Sequence, residues 1–325
     1  MSNRLANLFY FLIDKIILVP LEFILNERNT ILLVRHGESV GDHVMLTALI
    51  EYFGKVEKRS VIVISKYADL FLNNPHVLRV YPSPKNKLLK KVFFAILSCT
   101  RRPSIIYFTY KNIGNYDFEN YMRLTSNESH LRNVYLWRTY WVMPAELNNK
   151  IYFTKEEKAL LKQRLRLPKI FCVIQSQGKV SYTKRKCWGI KNMQEVVNLT
   201  AHNIRWVQCG AIDDPLLNLV IDMRMYDRRA DAYILSNASL VLCNEGYFTH
   251  LSNAVDTKCL TIQSGFLPEG CSAYSNVTRI ASKKYFRCSP CWNHGICKFI
   301  NLVPECMADI TSKIVVDEVK KILNA

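Results

Sequence analysis

The sequence has no low-complexity tract, no internal repeat beyond two alternating halves, and no long uninterrupted apolar run. Its most apolar stretch, residues 5–25, is broken by Asp14, Lys15 and Pro20, whereas a transmembrane helix needs about 20 largely apolar residues. The stretch also lacks a small-residue cleavage site, so a signal peptide is not expected. It is typical either of a helix at a membrane interface or of a helix packed on the first domain, and the sequence leaves both interpretations open.

Acidic residues are scarce, because 27 Asp and Glu stand against 44 Lys and Arg in 325 residues, a formal net charge of +17. Such an excess implies anionic partners: nucleic acid, an acidic membrane surface or phosphorylated substrates. The basic residues are scattered and are not interleaved with aromatic residues in one stripe. The sequence therefore favours a membrane surface or a phosphosugar, and we expect no nucleic-acid partner.

The eleven cysteines do not follow the pattern of a secreted disulfide framework. Their number is odd, and several lie inside apolar, strand-like runs: Cys172, Cys209, Cys243 and Cys259. Buried thiols of this kind indicate a reducing compartment.

A second group of cysteines near the C-terminus has the spacing C-x2-C-x5-C-x8-C and consists of Cys288, Cys291, Cys297 and Cys306. A C-x2-C knuckle followed by two further cysteines is a tetrahedral metal-ligand spacing, and a sulfur set suits zinc or iron. The pattern is compatible with a structural metal site, and the alternative is a loop-rich tail with reduced or disulfide-paired cysteines.

Apolar, strand-like runs alternate with helix-like segments along most of the chain, which predicts an α/β fold with parallel sheets. The first strand is expected at residues 30–34, and a helix at residues 44–53 follows it. A second alternating set begins at residues 170–174, after a charged helix. We place the domain boundary near Lys150, so that the predicted domains are 1–150 and 151–325.

One stretch, residues 239–265, has the pattern of a buried strand, a turn, a helix and a second strand. Glu245 and Gly246 lie in the turn at the carboxyl end of the first strand. Thr249 is predicted to cap the helix, which carries His250. Ligands of open α/β sheets bind at the carboxyl ends of the strands, and the positive end of a helix dipole suits a phosphate.

Three short motifs resemble those of the ADP-heptose–lipopolysaccharide heptosyltransferases, glycosyltransferase family 9. Gly41-Asp42 matches the family's Gly-Asp turn between the first strand and its helix, and Lys186-Cys187-Trp188 matches its Lys-x-Trp motif in the second domain. Glu245-Gly246 and His250 match the acidic residue, glycine and histidine of a later turn and helix. Many members have Asp in place of Glu245 and a glycine in place of Tyr247. The resemblance runs from about residue 12 to the C-terminus.

The resemblance implies a GT-B architecture, in which two Rossmann-like domains face each other across a cleft. The N-terminal domain is expected to hold the acceptor, and the C-terminal domain the nucleotide sugar. The implied reaction is an inverting transfer of heptose or a similar sugar from a nucleoside-diphosphate donor, such as ADP-heptose, to lipopolysaccharide or another cell-surface glycan. No DxD-type acidic pair stands out, so we expect no cofactor to be required for catalysis.

The resemblance also implies roles for individual residues. Asp42 is the candidate base that removes the proton of the acceptor hydroxyl, and its alternative role is to cap the helix that follows. The residues expected to bind the nucleotide sugar are Ser176, Lys186, Glu245, Gly246 and His250. Lys186 would meet the diphosphate and stabilise its departure.

Two alternatives from other classes of function stay open. Residues 33–39, LVRHGES, resemble the opening of the histidine phosphatase and phosphoglycerate mutase family, with His36 as the nucleophile and Arg35 on the phosphate. That family has an Asn shortly afterwards, where this chain has Gly41-Asp42. The other alternative is a non-catalytic glycan-binding protein on the same fold, since a fold does not determine function.

A lipid-linked acceptor, the positive charge and the apolar N-terminal segment together predict a cytoplasmic protein that associates peripherally with the inner membrane. The electrostatic contribution would come from lysines and arginines near an anionic surface. The apolar contribution would come from Leu8, Phe9, Phe11, Leu12, Ile16 and Ile17.

Overall fold

The computed structural model describes residues 14–35, 37–86, 88, 91–93, 104–108, 148–224, 227–267, 272, 274–291 and 295–324. These residues fall into two units, which we call the N-terminal unit (residues 14–108) and the C-terminal unit (residues 148–324).

The N-terminal unit is built on a parallel sheet of four strands in the order β3-β2-β1-β4. A π-helical turn, Asp14–Leu18, leads into the first helix, and a 3-10 turn, Ala68–Phe71, precedes the third strand. The elements are α1 (Val19–Glu27), β1 (Thr30–Arg35), α2 (Val40–Lys55), β2 (Ser60–Ser65), β3 (Val77–Pro82) and β4 (Ile105–Phe108).

The core of this unit forms around β1 and α2, which are buried along almost their whole length. Every residue of β1 is buried, and α2 is buried from Gly41 to Phe53. A strand with neighbours on both edges and a helix on its face is expected to be uniformly apolar. The predicted first strand and helix are therefore confirmed, and both are longer than expected.

The N-terminal helix presents two different faces. Leu18 and Leu25 pack with Leu32 of β1, while Ile16 and Phe23 are 68% and 65% exposed. One face of this segment therefore packs on the unit, and the other is apolar and exposed. Its association with a membrane stays a prediction. No helix in the described part of the chain has the length and hydropathy that a membrane span requires.

The C-terminal unit contains a parallel sheet of six strands in the order β10-β9-β8-β5-β6-β7. Its helices and strands are α3 (Lys155–Leu165), β5 (Cys172–Ile174), α4 (Ile190–Thr200), β6 (Trp206–Gln208), β7 (Val220–Asp222), α5 (Arg228–Ser236), β8 (Val241–Asn244), α6 (Tyr247–Ala254), β9 (Cys259–Ile262) and β10 (Val277–Ile280). Strands β6 and β7 extend the sheet on one side of β5, and the later strands β8, β9 and β10 extend it on the other side. This is the doubly wound order of dinucleotide-binding folds, and its direction reverses between β5 and β8.

The C-terminal part of the chain closes one face of this sheet. An antiparallel hairpin of β11 (Phe299–Ile300) and β12 (Val303–Pro304) is followed by a 3-10 turn and by α7 (Ser312–Asn324). Val315 and Val319 of α7 are fully buried, as their helical spacing predicts. They belong to the same core cluster as residues of α4 and of the sheet. Ile314 of the same helix is 48% exposed.

Candidate functional site

The carboxyl ends of β5 and β8 are neighbours, since the two strands pair in parallel at the reversal of strand order. β5 leads into a loop that ends at Gly189, and β8 leads into Glu245 and α6. Ligands of open α/β sheets bind at such switch points. All five residues expected to bind a nucleotide sugar belong to these segments, so the structure brings them to the same edge of one sheet.

Glu245 is a buried carboxylate in this position, with its side chain 1% exposed. Lys186 Nζ lies 3.8 Å from Glu245 Oε2 and 4.7 Å from the ring centroid of Phe266. At 3.8 Å the two charges form an ion pair but no hydrogen bond. Neither oxygen of Glu245 accepts a hydrogen bond from the residues that the structure describes. A buried carboxylate in this state is costly, which is typical of a group that meets a ligand's hydroxyl or amide.

The electrostatics of Glu245 follow from its surroundings. Burial raises the pKa of the Glu245 carboxyl, and the positive charges of Lys186 and Arg279 oppose part of that rise. The side chain of Lys186 is 17% exposed, so its ammonium is held in place and still accessible to solvent. The pair offers a cation at the surface and a carboxylate beneath it.

Trp188, the third residue of the Lys-x-Trp motif, is a structural anchor. Its side chain is fully buried, and its indole Nε1 donates a hydrogen bond of 2.9 Å to the carbonyl oxygen of Ile310. Its backbone N–H donates to Asn244 Oδ1 at 2.9 Å. The motif thus ties the loop after β5 to the end of β8, and this connection holds Lys186 opposite Glu245.

The start of α6 is open on the side of Gly246. A Cβ atom added to Gly246 would meet no other atom within 4 Å, so a ligand can approach the backbone there. The prediction that Thr249 caps this helix is wrong, because α6 begins at Tyr247 and Gly246 holds the cap position. Thr249 lies in the first turn, and its Oγ1 accepts the N–H of Gly246 at 3.3 Å.

Ser176 and His250 both have protein partners. Ser176 is buried, and its Oγ accepts a hydrogen bond of 3.1 Å from Gln208 Nε2. As the acceptor in this bond, Ser176 keeps its hydroxyl hydrogen for donation to another group. His250 lies in the first turn of α6, and its Nδ1 is 2.8 Å from the hydroxyl of Tyr274. The sequence did not predict a role for Tyr274 or Gln208.

Asp42 lies in the N-terminal unit, after the buried strand β1. Its alternative role as a helix cap is wrong, because Ser39 holds the cap position and Asp42 lies inside the first turn of α2. Asp42 Oδ2 is 2.5 Å from Arg35 Nη2, and the two side chains are 10% and 4% exposed. A Cβ atom at Gly37 would come within 3.0 Å of Arg35 Nη2, so glycine leaves room for the guanidinium.

A histidine fixes the segment between β1 and α2. His43 is fully buried, and its Nε2 donates to the carbonyl oxygen of Gly37 at 3.2 Å. Because a neutral imidazole has one N–H, Nδ1 accepts the hydroxyl of Ser65, 2.8 Å away. His36, the nucleophile of the phosphohydrolase alternative, lies outside the described residues. Arg35, which that alternative places on a phosphate, pairs with Asp42.

The C-terminal cysteines lie within electrostatic reach of one another. Burial raises the pKa of the Cys297 thiol, the charges of the other three thiols raise it further, and Arg185 opposes the rise. Cys306 Sγ accepts the N–H of Gly265 at 3.2 Å. Within the described residues, however, no three His, Cys, Asp or Glu side chains are grouped so that they could hold a metal ion. The four thiols do not fit a metal ion in their present arrangement.

No protein-family model matches the sequence. No curated protein has significant similarity to it.

Solved structures with the same fold align with about 90% of this chain. The fold is that of GT-B glycosyltransferases, which confirms the α/β, two-domain Rossmann-like prediction. The ADP-heptose lipopolysaccharide heptosyltransferase II of E. coli is 14% identical, with a TM-score of 0.64 over 90% of this chain and 98% of its own. A family 9 glycosyltransferase of Veillonella parvula is 11% identical, with a TM-score of 0.65 over 91% and 97%.

A third structure was solved with a nucleotide sugar. The dodecameric iron-containing heptosyltransferase TibC of enterotoxigenic E. coli, solved with ADP-D-β-D-heptose, is 13% identical. Its TM-score is 0.59, over 90% of this chain and 75% of its own. At such identities, the likeness establishes the fold that these proteins share with this chain.

Proposed function

We propose that this protein is an inverting glycosyltransferase of the heptosyltransferase family 9 type. It moves heptose or a similar sugar from a nucleoside-diphosphate donor to lipopolysaccharide or another cell-surface glycan. The observation that carries the proposal is the buried Glu245 beside Lys186 at the switch point of the C-terminal sheet. The fold shared with heptosyltransferases, one of them solved with ADP-heptose, supports the same class of donor.

The donor is bound by two kinds of group. Lys186 and the N–H groups at the start of α6 attract the diphosphate, since a helix N-terminus carries partial positive charge. Ser176 adds a hydroxyl donor, and His250 lies in the same first turn of α6. Glu245, which accepts no hydrogen bond within the described residues, receives hydroxyl groups of the sugar. As the glycosidic bond breaks, Lys186 stabilises the charge that develops on the departing diphosphate.

Asp42 is the base of this mechanism. It removes the proton from the acceptor hydroxyl as the new bond forms. Arg35 holds one carboxylate oxygen of Asp42 in a buried ion pair, which fixes the orientation of the other. The reaction needs no cofactor in this scheme, because the groups that accept the proton and stabilise the leaving group are all side chains or backbone amides.

The first test uses ADP as the probe. The free protein should be stabilised by ADP in a thermal-shift titration, since a ligand that binds only the folded state raises its stability. Lys186→Ala should weaken ADP binding about tenfold, the scale of one charge-assisted hydrogen bond of ~1.4 kcal/mol. Lys184→Ala is the matched control, because Lys184 is an exposed lysine of the same basic run. Equal ADP affinity of the Lys186→Ala variant, measured by calorimetry, would remove this site from the proposal.

The second test concerns Asp42. Asp42→Asn should lower transfer from ADP-heptose to a truncated lipopolysaccharide by about a hundredfold or more, the usual scale for a lost general base. The change also leaves the buried Arg35 without its carboxylate, so a loss of stability is expected as well. Arg35→Lys keeps the cation and should retain most of the activity. Near-full turnover of Asp42→Asn would mean that Asp42 serves only the ion pair. Donor binding without any turnover in the natural protein would favour the glycan-binding alternative.

The third test concerns the membrane. We propose that the protein is cytoplasmic and associates with the inner membrane through the open face of the N-terminal helix, where Ile16, Ile17, Phe23 and Ile24 are 68%, 50%, 65% and 47% exposed. The net charge of +17 complements an anionic lipid surface. Phe23→Ser with Ile24→Ser should reduce co-sedimentation with anionic vesicles, and added salt should reduce it further.

Leu160→Ser is the control for this test, because Leu160 is an equally exposed leucine, at 67%, on α3. Point variants are preferable to removal of the whole segment, since Leu18 and Leu25 are part of the core. Vesicle binding that is identical in the natural protein and the double variant would exclude this face as the contact. No binding at low salt would exclude the membrane model itself.

The fourth test concerns the C-terminal cysteines. We propose that Cys288, Cys291, Cys297 and Cys306 bind a structural zinc or iron ion, which would draw the four thiols closer together than they lie in this structure. Their C-x2-C spacing, their mutual electrostatic reach and the iron in TibC support the proposal. The purified protein should contain about one metal ion per chain by elemental analysis, and Cys288→Ser with Cys291→Ser should remove it. Cys172→Ser, a buried strand cysteine, is the control. A metal-free natural protein would disprove the site.

A further inference from the structure

Tyr274 joins His250 to Asn149 in a chain of buried hydrogen bonds within the C-terminal unit. The Tyr274 hydroxyl is 2.8 Å from His250 Nδ1 and 3.0 Å from Asn149 Nδ2. Asn149 is fully buried, and Tyr274 and His250 are 5% and 9% exposed. The backbone N–H of Asn149 donates to Asn253 Oδ1 at 3.0 Å, so α6 holds Asn149 in place.

The direction of each hydrogen bond follows from the chemistry of the groups. Asn149 Nδ2 also lies 3.4 Å from the carbonyl oxygen of His250, which can only accept, so the amide presents its NH2 group on this side. The same NH2 group donates to the oxygen of Tyr274. The single hydroxyl hydrogen of Tyr274 is therefore available for His250 Nδ1. A neutral imidazole that accepts at Nδ1 carries its hydrogen on Nε2.

We propose that Tyr274, held by Asn149, is a positioning residue that keeps the hydrogen of His250 on Nε2, where it donates to a phosphate oxygen at the start of α6. The phosphate part rests on the proposed function. Without the Tyr274 hydroxyl, the imidazole is free to carry its hydrogen on either nitrogen. A ring with the hydrogen on Nδ1 would present a lone pair to the phosphate and repel it.

The first measurement determines the tautomer and needs no ligand. Long-range 15N–1H NMR spectra of the full chain, recorded well above the usual histidine pKa of about 6.5, distinguish the two nitrogens of each imidazole. His250→Gln identifies the His250 signals. The natural protein should show the hydrogen on Nε2 and a hydrogen-bonded Nδ1. Tyr274→Phe should remove the hydrogen-bond shift of Nδ1 and populate the other tautomer.

The matched control is Tyr233→Phe, which removes the same atom from another buried tyrosine of the unit. Tyr233 lies on α5, and its ring packs against Phe153. This variant should leave the His250 signals unchanged. A hydrogen on Nδ1 in the natural protein, or identical His250 signals in Tyr274→Phe, would overturn the positioning role.

The second measurement is calorimetric titration with ADP. Tyr274→Phe should bind ADP about tenfold more weakly than the natural protein, the loss expected for one hydrogen bond to a charged group, whereas Tyr233→Phe should bind it equally well. A changed tautomer with unchanged ADP affinity would overturn the phosphate role of His250. If the natural protein does not bind ADP at all, the proposed function fails, and the NMR result still decides the role of Tyr274.

Discussion

The hydrogen bond from the backbone of Trp188 to the side chain of Asn244 is the contact on which the candidate donor site depends. It joins the loop after β5 to the last residue of β8, which are 56 positions apart in the sequence. Trp188 is itself fixed, because its buried indole donates to Ile310 beside the C-terminal helix. An aromatic side chain with one donor and a large buried surface holds a loop with little freedom. The position of Lys186 beside Glu245 follows from these two hydrogen bonds.

Each unit places an acidic residue after a buried strand and gives it a cation, but the two pairs differ. Asp42 and Arg35 are 2.5 Å apart, which is a charge-assisted hydrogen bond. Glu245 and Lys186 are 3.8 Å apart, which leaves both charges without a direct hydrogen bond to each other. A tight pair suits a group whose orientation must be fixed. A loose pair suits groups that must also meet a ligand. Burial raises the pKa of the Glu245 carboxyl, and the attraction of Lys186 offsets that rise only in part.

The alternation of strands and helices was predictable from the sequence because it follows from the local pattern of apolar residues. The uniformly apolar runs of β1, β5 and β8 mark strands that are covered on both faces. The strand order, and so the switch point, depends on which runs pair, and no local pattern encodes this. The start of α6 was misplaced because Thr249 resembles a cap, whereas the glycine before Tyr247 holds that position.

The contacts of the candidate site residues were less predictable than their location at the ends of the strands. Short motifs made Lys186, Glu245 and His250 candidates, since each motif is continuous in sequence. Asn149 and Tyr274 are 125 positions apart, and only the folded chain brings them together. Arg35 was assigned to a phosphate by analogy with another family, and its pairing with Asp42 depends on the turn between β1 and α2.

The net charge of the whole chain and the local charges at the candidate site act over different distances. A net charge of +17 attracts anions of any kind from a distance, where salt screens it. At the site the charges of Lys186 and Glu245 largely cancel, so the overall excess of positive charge does not explain affinity there. A buried carboxylate is not expected in a site that binds phosphate alone, because it repels phosphate and is costly to bury. We infer that Glu245 accepts hydrogen bonds from hydroxyl groups, which a nucleoside-diphosphate sugar has both on its ribose and on its transferred sugar.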